Sequence, residues 1–183
     1  MSRRDPGVRA VFLDRDGVLN KSIVRNGRPY APTNLSEFEL LPGVVEATQT
    51  LRTGGFLLIV ATNQPDVGAG RVPRDTVERM NAELRKWLPL DDIKVCYHLD
   101  RDECLCRKPK PGMLIEAASE WGIDLEASVM VGDRWRDIEA GHAARCKTVF
   151  VDAGYTEKGL SQPPNAVVPS LHAAARLIID GVV

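Results

Sequence analysis

Four aspartates stand after apolar segments, where they could share one cation. Asp14 and Asp16 follow the apolar residues 8–13, and Asp133 and Asp137 follow a second apolar run. Carboxylates that lie close together repel one another, and a hard divalent cation relieves that repulsion. Because a few oxygen ligands leave coordination positions for water and a phosphate oxygen, the pattern favours Mg²⁺.

The spacing of Asp14 and Asp16 predicts phosphoryl transfer through a covalent intermediate. A carboxylate is ionised at neutral pH without activation, so Asp14 could attack phosphorus directly. Asp16 would protonate the leaving oxygen and later accept a proton from the water that hydrolyses the aspartyl-phosphate. Gly17 would let the chain turn away, so that both acids point into one crevice.

Donors for phosphoryl oxygens come from two further segments. Residues 62–64, Thr-Asn-Gln, offer a hydroxyl, side-chain amides and backbone N–H groups after another apolar run. Arg107 and Lys108 precede a helix predicted to begin near Pro111, whose free N–H groups also favour an anion. Each segment alone is common in loops without function, but their order after successive strands indicates one site.

Three thiols and one imidazole lie in a single short loop: Cys96, His98, Cys104 and Cys106. A Cys₃His set is a closed tetrahedral Zn²⁺ site, so this zinc would be structural. The alternative, free cysteines beside a surface histidine, would leave clustered thiols open to oxidation. Because Arg107 and Lys108 follow the last cysteine directly, a zinc loop at 96–106 would fix both cations over the crevice.

Short apolar runs alternate with segments of helical spacing along the whole chain. The runs predict buried strands at 8–13, 56–61, 93–97, 129–131 and 148–151. The alternation predicts an α/β fold, Rossmann-like with three α/β/α layers around a central parallel sheet and no large cap domain. In such sheets ligands bind beyond the carboxyl ends of the strands, which is where the polar residues stand.

The sequence also predicts the structure of two segments that connect strands and helices. The dipeptide Asn26-Gly27 favours a tight hairpin turn, which predicts a small flap near residues 20–32. Residues 161–169 contain three prolines and are predicted to form a loop before a last helix at 171–179.

Composition restricts the class of protein. The 183 residues, 44% hydrophobic and 27% charged, suit one domain over residues 1–183. A net charge of −1 gives no basic field for nucleic acid or an anionic membrane, and no apolar run is long enough to cross a bilayer. We expect a cytoplasmic monomer, in which Cys146, the fourth cysteine, is simply buried.

In chain order, four segments resemble the signature motifs of the haloacid dehalogenase superfamily of phosphatases: 14–17, 62–64, 108–109 and 132–134. The paired cysteine motifs followed by Arg-Lys-Pro are similar to the zinc-containing, capless branch of that superfamily. Members of this branch hydrolyse D-glycero-D-manno-heptose 1,7-bisphosphate or histidinol phosphate. The resemblance therefore implies a phosphatase acting on a small phosphorylated metabolite.

The resemblance also implies roles for particular residues. Asp14 would be the nucleophile and Asp16 the proton donor and acceptor. Mg²⁺ would be held by Asp14, the backbone carbonyl of Asp16, and Asp133. Thr62 and Lys108 would stabilise the phosphoryl group.

Substrate contacts are implied for Asn63, Arg107 and Arg134. At the neighbouring position the chain departs from the branch, because Pro65-Asp66 stands where Ser-Gly is expected. The segment after Asp16 is also longer than in the branch. Both departures lie where substrate would be bound, so they bear on substrate choice and leave the catalytic residues as assigned.

Two substrates stay open at this point. Residues 108–113 are more similar to the heptose enzymes, whereas the five-residue gap between the two zinc motifs is more similar to the histidinol-phosphate enzymes. We favour the sugar bisphosphate. Its second phosphate could bind Lys21, Arg25 and Arg28, or these could be solvated surface charges.

Two rivals remain. Another phosphatase, one that acts on the 3'-phosphate of a nucleic-acid end, would also use an open site, although the charge balance argues against it. A zinc-containing binding module with inert acids is the alternative from another class.

Overall fold

The apolar runs form a six-stranded parallel sheet, as their alternation with helices predicts. The computed structural model describes residues 7–183. The sheet has the order β5-β4-β1-β6-β7-β8. Its strands are β1 (Ala10–Leu13), β4 (Leu57–Asn63), β5 (Asp92–Cys96), β6 (Val129–Gly132), β7 (Lys147–Val151) and β8 (Ala166–Val168).

Helices cover both faces of this sheet. They are α1 (Val44–Thr53), α2 (Pro65–Gly68), α3 (Arg74–Trp87), α4 (Gly112–Trp121), α5 (Trp135–Ala143) and α6 (Leu171–Ile179), with 3₁₀ turns at Leu35–Glu37 and Asp100–Asp102. Val11 and Leu13 of β1 pack with residues of α1, α3 and α6, whereas Ala10 and Phe12 pack with residues of α4. Because successive strand residues point to opposite faces, one strand joins both halves of the core, which confirms the three-layer α/β/α prediction.

A hairpin lies outside the main sheet. It consists of β2 (Ile23–Arg25) and β3 (Arg28–Tyr30), which pair antiparallel. Asn26 and Gly27 form the turn with φ of 51° and 74°, values that suit the Asn-Gly dipeptide. The Gly27 carbonyl accepts a hydrogen bond of 2.8 Å from the Thr156 N–H, which ties the hairpin to the segment after β7.

The prediction of a loop at 161–169 was wrong in part, because β8 lies within it. Three residues between prolines carry little periodicity, so the strand is decided by its pairing with β7. Asn165 begins this pairing: its side-chain oxygen accepts a 2.8 Å hydrogen bond from the N–H of buried Thr148. Within residues 7–183 no helix combines the length and apolar character needed to cross a membrane.

We predict that Asn165→Ala lowers the free energy of unfolding by about 1–3 kcal/mol, because the Thr148 N–H loses its side-chain acceptor. Urea unfolding followed by circular dichroism measures the change. Val167→Ala on the same strand is the control, since this residue is 60% exposed and its truncation should change stability little. Equal stability of the Asn165 variant and the parent chain would contradict this account of β8.

Candidate active site

The strand ends open into a cleft of about 310 Å³, which is lined by most of the predicted catalytic and substrate-binding residues. Asp14 and Asp16 follow β1, and Asp137 lies in the first turn of α5, after β6. Asn63 reaches the cleft from β4, and Lys108 from the loop before α4. The parallel sheet thus brings together residues that are far apart in sequence, as its topology predicts.

Lys108 is buried between carboxylates at the bottom of this cleft. Its Nζ lies 2.7 Å from Asp14 Oδ1 and 2.6 Å from Asp137 Oδ1, and it donates to the Ala61 carbonyl at 2.7 Å. These three acceptors match the three N–H groups of an ammonium. Burial lowers the pKa of Lys108, but the charges of Asp137 and Asp14 outweigh it and hold the pKa above its ordinary value.

Asp14, Asp133 and Asp137 form a buried acidic group whose side chains could hold one cation. One carboxylate oxygen from each lies within 4.8 Å of the others. Both oxygens of Asp133 are buried, and within residues 7–183 neither has a hydrogen-bond partner. A buried carboxylate without a partner is costly, and a divalent cation with oxygen ligands would satisfy it. The residues therefore fit Mg²⁺.

The pKa values of Asp14 and Asp133 are raised because these carboxylates are buried close to one another. Burial, followed by the charge of Asp137, raises the pKa of Asp14 to about 6, although Lys108 opposes the shift. Burial and the charges of Asp14 and Asp137 raise the pKa of Asp133 well above its ordinary value. A cation bound here would favour the ionised carboxylates and reverse these shifts.

Glycine at position 17 allows the close approach of the two strand ends. A Cβ atom on Gly17 would lie 1.8 Å from Asp133 Oδ2, and the residue has φ of 94°. No other residue type fits this position without displacing the carboxylate. Gly17, interpreted from the sequence as a turn residue, is thus also needed because a side chain at this position would collide with Asp133.

Asp137 was one of the four aspartates expected to share a cation, but the family resemblance did not imply it as a ligand; the structure brings it together with Asp14 and Asp133. The Asp16 side chain, by contrast, lies outside the acidic group. Its carboxylate accepts hydrogen bonds from Gln64 Nε2 at 2.6 Å and from Asn20 Nδ2 at 2.9 Å. Only the backbone carbonyl of Asp16 was implied as a ligand, and that expectation stays a prediction.

Thr62 and Asn63 belong to β4 itself, rather than to the loop after it. The Thr62 hydroxyl accepts a 3.0 Å hydrogen bond from Gln64, so its own proton stays available to another acceptor. The Asn63 side chain donates to the Lys108 carbonyl at 3.0 Å and accepts from the Lys108 N–H at 3.1 Å. Its amide therefore braces the Lys108 backbone, a contact that the sequence did not suggest.

The four predicted zinc ligands converge at one point. Sγ–Sγ distances are 3.1 Å for Cys96–Cys106, 3.5 Å for Cys104–Cys106 and 3.7 Å for Cys96–Cys104. His98 Nδ1 lies 3.3 Å from Cys106 Sγ and 3.6 Å from Cys96 Sγ. Zn–S bonds of about 2.3 Å place tetrahedral ligands slightly less than 4 Å apart. The set therefore fits Zn²⁺ with no position left for substrate.

The zinc loop also organises two arginines. Asp100, in the middle of the loop, accepts a 2.8 Å hydrogen bond from Arg107 Nε and a 3.2 Å hydrogen bond from Arg136 Nη1. Both arginines line the cleft, and so does Arg134, which is paired with Glu157. Arg136 was not predicted, although it lies three residues after Asp133.

Two segments depart from the branch pattern, residues 65–66 and the longer segment after Asp16, and they lie in different places relative to the cleft. Pro65 and Asp66 line the cleft. Lys21 is paired instead with Glu39 at 2.7 Å on the surface. The other two cations of the longer segment, Arg25 and Arg28, also do not line the main cleft, but Arg28 lines an adjoining groove that shares Arg134 with it.

Comparison with known proteins agrees with the motifs. The family model described as HAD-hydrolase-like matches residues 105–174. A D-glycero-beta-D-manno-heptose-1,7-bisphosphate 7-phosphatase from Pasteurella multocida is 37% identical, covering 93% of this chain and 96% of the relative. A protein of the same name from Pseudomonas putida is 36% identical, covering 94% of this chain and 100% of the relative. These similarities confirm the resemblance that the motifs predicted.

A solved structure extends the comparison to the fold. The D,D-heptose 1.7-bisphosphate phosphatase from B. bronchiseptica, crystallised with magnesium and phosphate, has a TM-score of 0.82 to this chain at 28% identity. The match covers 95% of this chain and 99% of that one. The Rossmann-like architecture predicted from the alternation of elements is therefore confirmed.

We predict about one zinc ion per chain, and its loss in Cys106→Ser, because three ligands do not complete the tetrahedral set. Elemental analysis of protein purified without chelator measures it. Cys146→Ser is the control: this cysteine lies outside the cluster, so zinc should be retained. A parent chain free of zinc would contradict the assignment.

Proposed function

Because the chain belongs to the family of D-glycero-beta-D-manno-heptose-1,7-bisphosphate 7-phosphatases in the haloacid dehalogenase superfamily, we propose that it removes the 7-phosphate from D-glycero-D-manno-heptose 1,7-bisphosphate. The observation that carries the proposal is the buried Lys108 ammonium between Asp14 and Asp137, beside the unpartnered Asp133 carboxylate. Hydrolysis of a phosphate monoester needs a nucleophile, positive charge and a metal site in one place, and this group offers all three.

In the first step, a carboxylate oxygen of Asp14 attacks the phosphorus of the 7-phosphate. The aspartyl-phosphate forms as the bond between phosphorus and the sugar oxygen breaks, and Asp16 gives its proton to that oxygen. Lys108 and the free proton of the Thr62 hydroxyl stabilise the charge on the phosphoryl oxygens. Mg²⁺ bound by Asp14 and Asp133 would neutralise part of the negative charge shared by phosphate and nucleophile.

In the second step, water attacks the phosphorus of the aspartyl-phosphate while Asp16 takes its proton. The bond between phosphorus and Asp14 breaks, phosphate is released, and the Asp14 carboxylate is regenerated. Asp16 ends the cycle protonated, as it began, so the two steps balance. Asp137 takes no part in bond making; it holds Lys108 and supplies a third carboxylate to the acidic group.

Positive charge around the cleft supports a substrate with two phosphates. Four arginines line it: Arg71, Arg107, Arg134 and Arg136. Arginine pairs well with phosphate because its planar fork donates two parallel hydrogen bonds. Histidinol phosphate carries a cationic amine that would face these arginines, which favours the sugar bisphosphate.

The zinc loop supports a reducing compartment as the place of action. Zn²⁺ binds thiolates, and a disulfide between any two of its cysteines would remove two ligands. We therefore propose that the enzyme acts in the cytoplasm on a small metabolite.

We predict that Asp14→Asn abolishes Mg²⁺-dependent phosphate release, because the neutral amide cannot form the aspartyl-phosphate. A colorimetric phosphate assay with and without Mg²⁺ measures it. Asp180→Asn, an exposed aspartate after α6, is the matched control and should keep full activity. Beryllium fluoride, which mimics the acyl-phosphate, should inhibit only when Mg²⁺ is present. An inert zinc-containing module requires instead that the parent chain release no phosphate.

We predict that kcat/KM for the heptose 1,7-bisphosphate exceeds that for the 7-monophosphate by about tenfold or more, because only the bisphosphate offers a second anion to the arginines. A phosphate-release screen should include both sugars, histidinol phosphate and a DNA oligonucleotide with a 3'-phosphate. A preference for histidinol phosphate or the oligonucleotide would reject the proposed substrate while keeping the phosphatase mechanism.

A further inference from the structure

Arg15 is a buried charge that the proposed reaction steps do not use. It stands between the two aspartates at the end of β1, and its side chain is 0% exposed. A buried cation is expensive unless it is paired and hydrogen-bonded. The partners of Arg15 therefore indicate what this position does.

The guanidinium of Arg15 binds Asp16 side-on. Nε lies 3.2 Å from Asp16 Oδ1, and Nη2 lies 3.1 Å from both Oδ1 and Oδ2. The remaining nitrogen, Nη1, donates a 3.1 Å hydrogen bond to Asn81 Oδ1, on α3. The guanidinium carbon also lies 5.5 Å from the ring centroid of Phe38. The side chain is thus fixed at each end of its planar group.

Among the described residues, Arg15 is the one cation in an ion pair with Asp16. The other two donors to Asp16, Asn20 and Gln64, are neutral amides. A planar fork restricts the rotation of a carboxylate more than a flexible ammonium does. Since α3 holds Asn81, the orientation of Asp16 is coupled through Arg15 to a helix packed on the sheet.

We propose that Arg15 is a positioning residue that fixes the orientation of the Asp16 carboxyl for both of its proton transfers, to the leaving oxygen and from the attacking water. The inference rests on the proposed function, in which Asp16 is the general acid. Arg15 itself contacts no reacting atom; it acts through Asp16. Misplacing a catalytic group by about 1 Å can lower a rate about 100-fold.

Two substrates with different leaving groups distinguish a role of Arg15 in positioning Asp16 from a role in stability alone. An alcohol must be protonated as it leaves, whereas p-nitrophenolate departs without a proton. The value of kcat/KM reports the steps up to this departure. For Arg15→Lys we expect kcat/KM to fall about 100-fold on the best alkyl phosphate of the screen, but less than about threefold on p-nitrophenyl phosphate.

The second step gives a further signature. Water attack on the aspartyl-phosphate needs Asp16 for every substrate, so kcat and KM for p-nitrophenyl phosphate should fall together in Arg15→Lys. A purely structural defect would instead lower kcat and kcat/KM by the same factor. Equal losses of kcat/KM on both substrates would overturn the inference.

Two further variants test the inference without changing Arg15. Asn81→Ala keeps the arginine but removes its anchor on α3, and we expect the same leaving-group dependence with a loss of about fivefold on the alkyl phosphate. Arg79→Gln is the control on the exposed face of α3 and should leave both substrates unaffected. Thermal unfolding checks that each variant is folded, and an Asn81→Ala variant with parental kinetics would overturn the inference.

The Asp16→Asn variant distinguishes a failure of the Arg15 role from a failure of the proposed role of Asp16. A strong leaving-group dependence in this variant, without any in Arg15→Lys and Asn81→Ala, would overturn the role of Arg15 alone. No such dependence in Asp16→Asn would overturn the role of Asp16 and the inference together. Dependence in all three variants supports both.

Discussion

The Lys108 ammonium lies between Asp14 and Asp137, with a side chain 2% exposed to solvent. Three carboxylates in this space would repel one another and lose their hydration without a cation. Lys108 compensates one of the three negative charges, and the unpartnered oxygens of Asp133 remain for a divalent ion. The three carboxylates therefore need a cation in addition to Lys108, and the position of Lys108 restricts where a metal ion and a phosphate could bind.

Everything that fixes Lys108 consequently bears on the chemistry. The Asn63 amide binds both backbone polar groups of Lys108, and the zinc loop ends two residues before it. Asp100 in the same loop orients Arg107 and Arg136 toward the cleft. Zn²⁺ bound by this cluster would thus support Lys108 and the two arginines that line the cleft, although the closed ligand set leaves no coordination position for substrate.

Asp16 is held by a different element, because Arg15 links its carboxylate to Asn81 on α3. Asp14 and Asp16, the proposed nucleophile and general acid, are two residues apart but have different supports: Lys108, which follows the zinc loop, for Asp14, and Arg15, anchored on α3, for Asp16. Separate supports allow one carboxylate to stay beside the metal site while the other stays outside it. That separation is what the two roles require.

The sequence alone determined the alternation of strands and helices, the grouping of three cysteines and one histidine in one loop, and the location of the acids at strand ends, because these depend on local periodicity and spacing. Only the tertiary structure decided that the Asp16 side chain lies outside the acidic group, that Asp137 pairs with Lys108, and that Asn63 braces the Lys108 backbone. It also decided that β8 forms within a proline-rich segment. These contacts join residues distant in sequence, and their geometry depends on how the helices pack on the sheet, which no local pattern encodes.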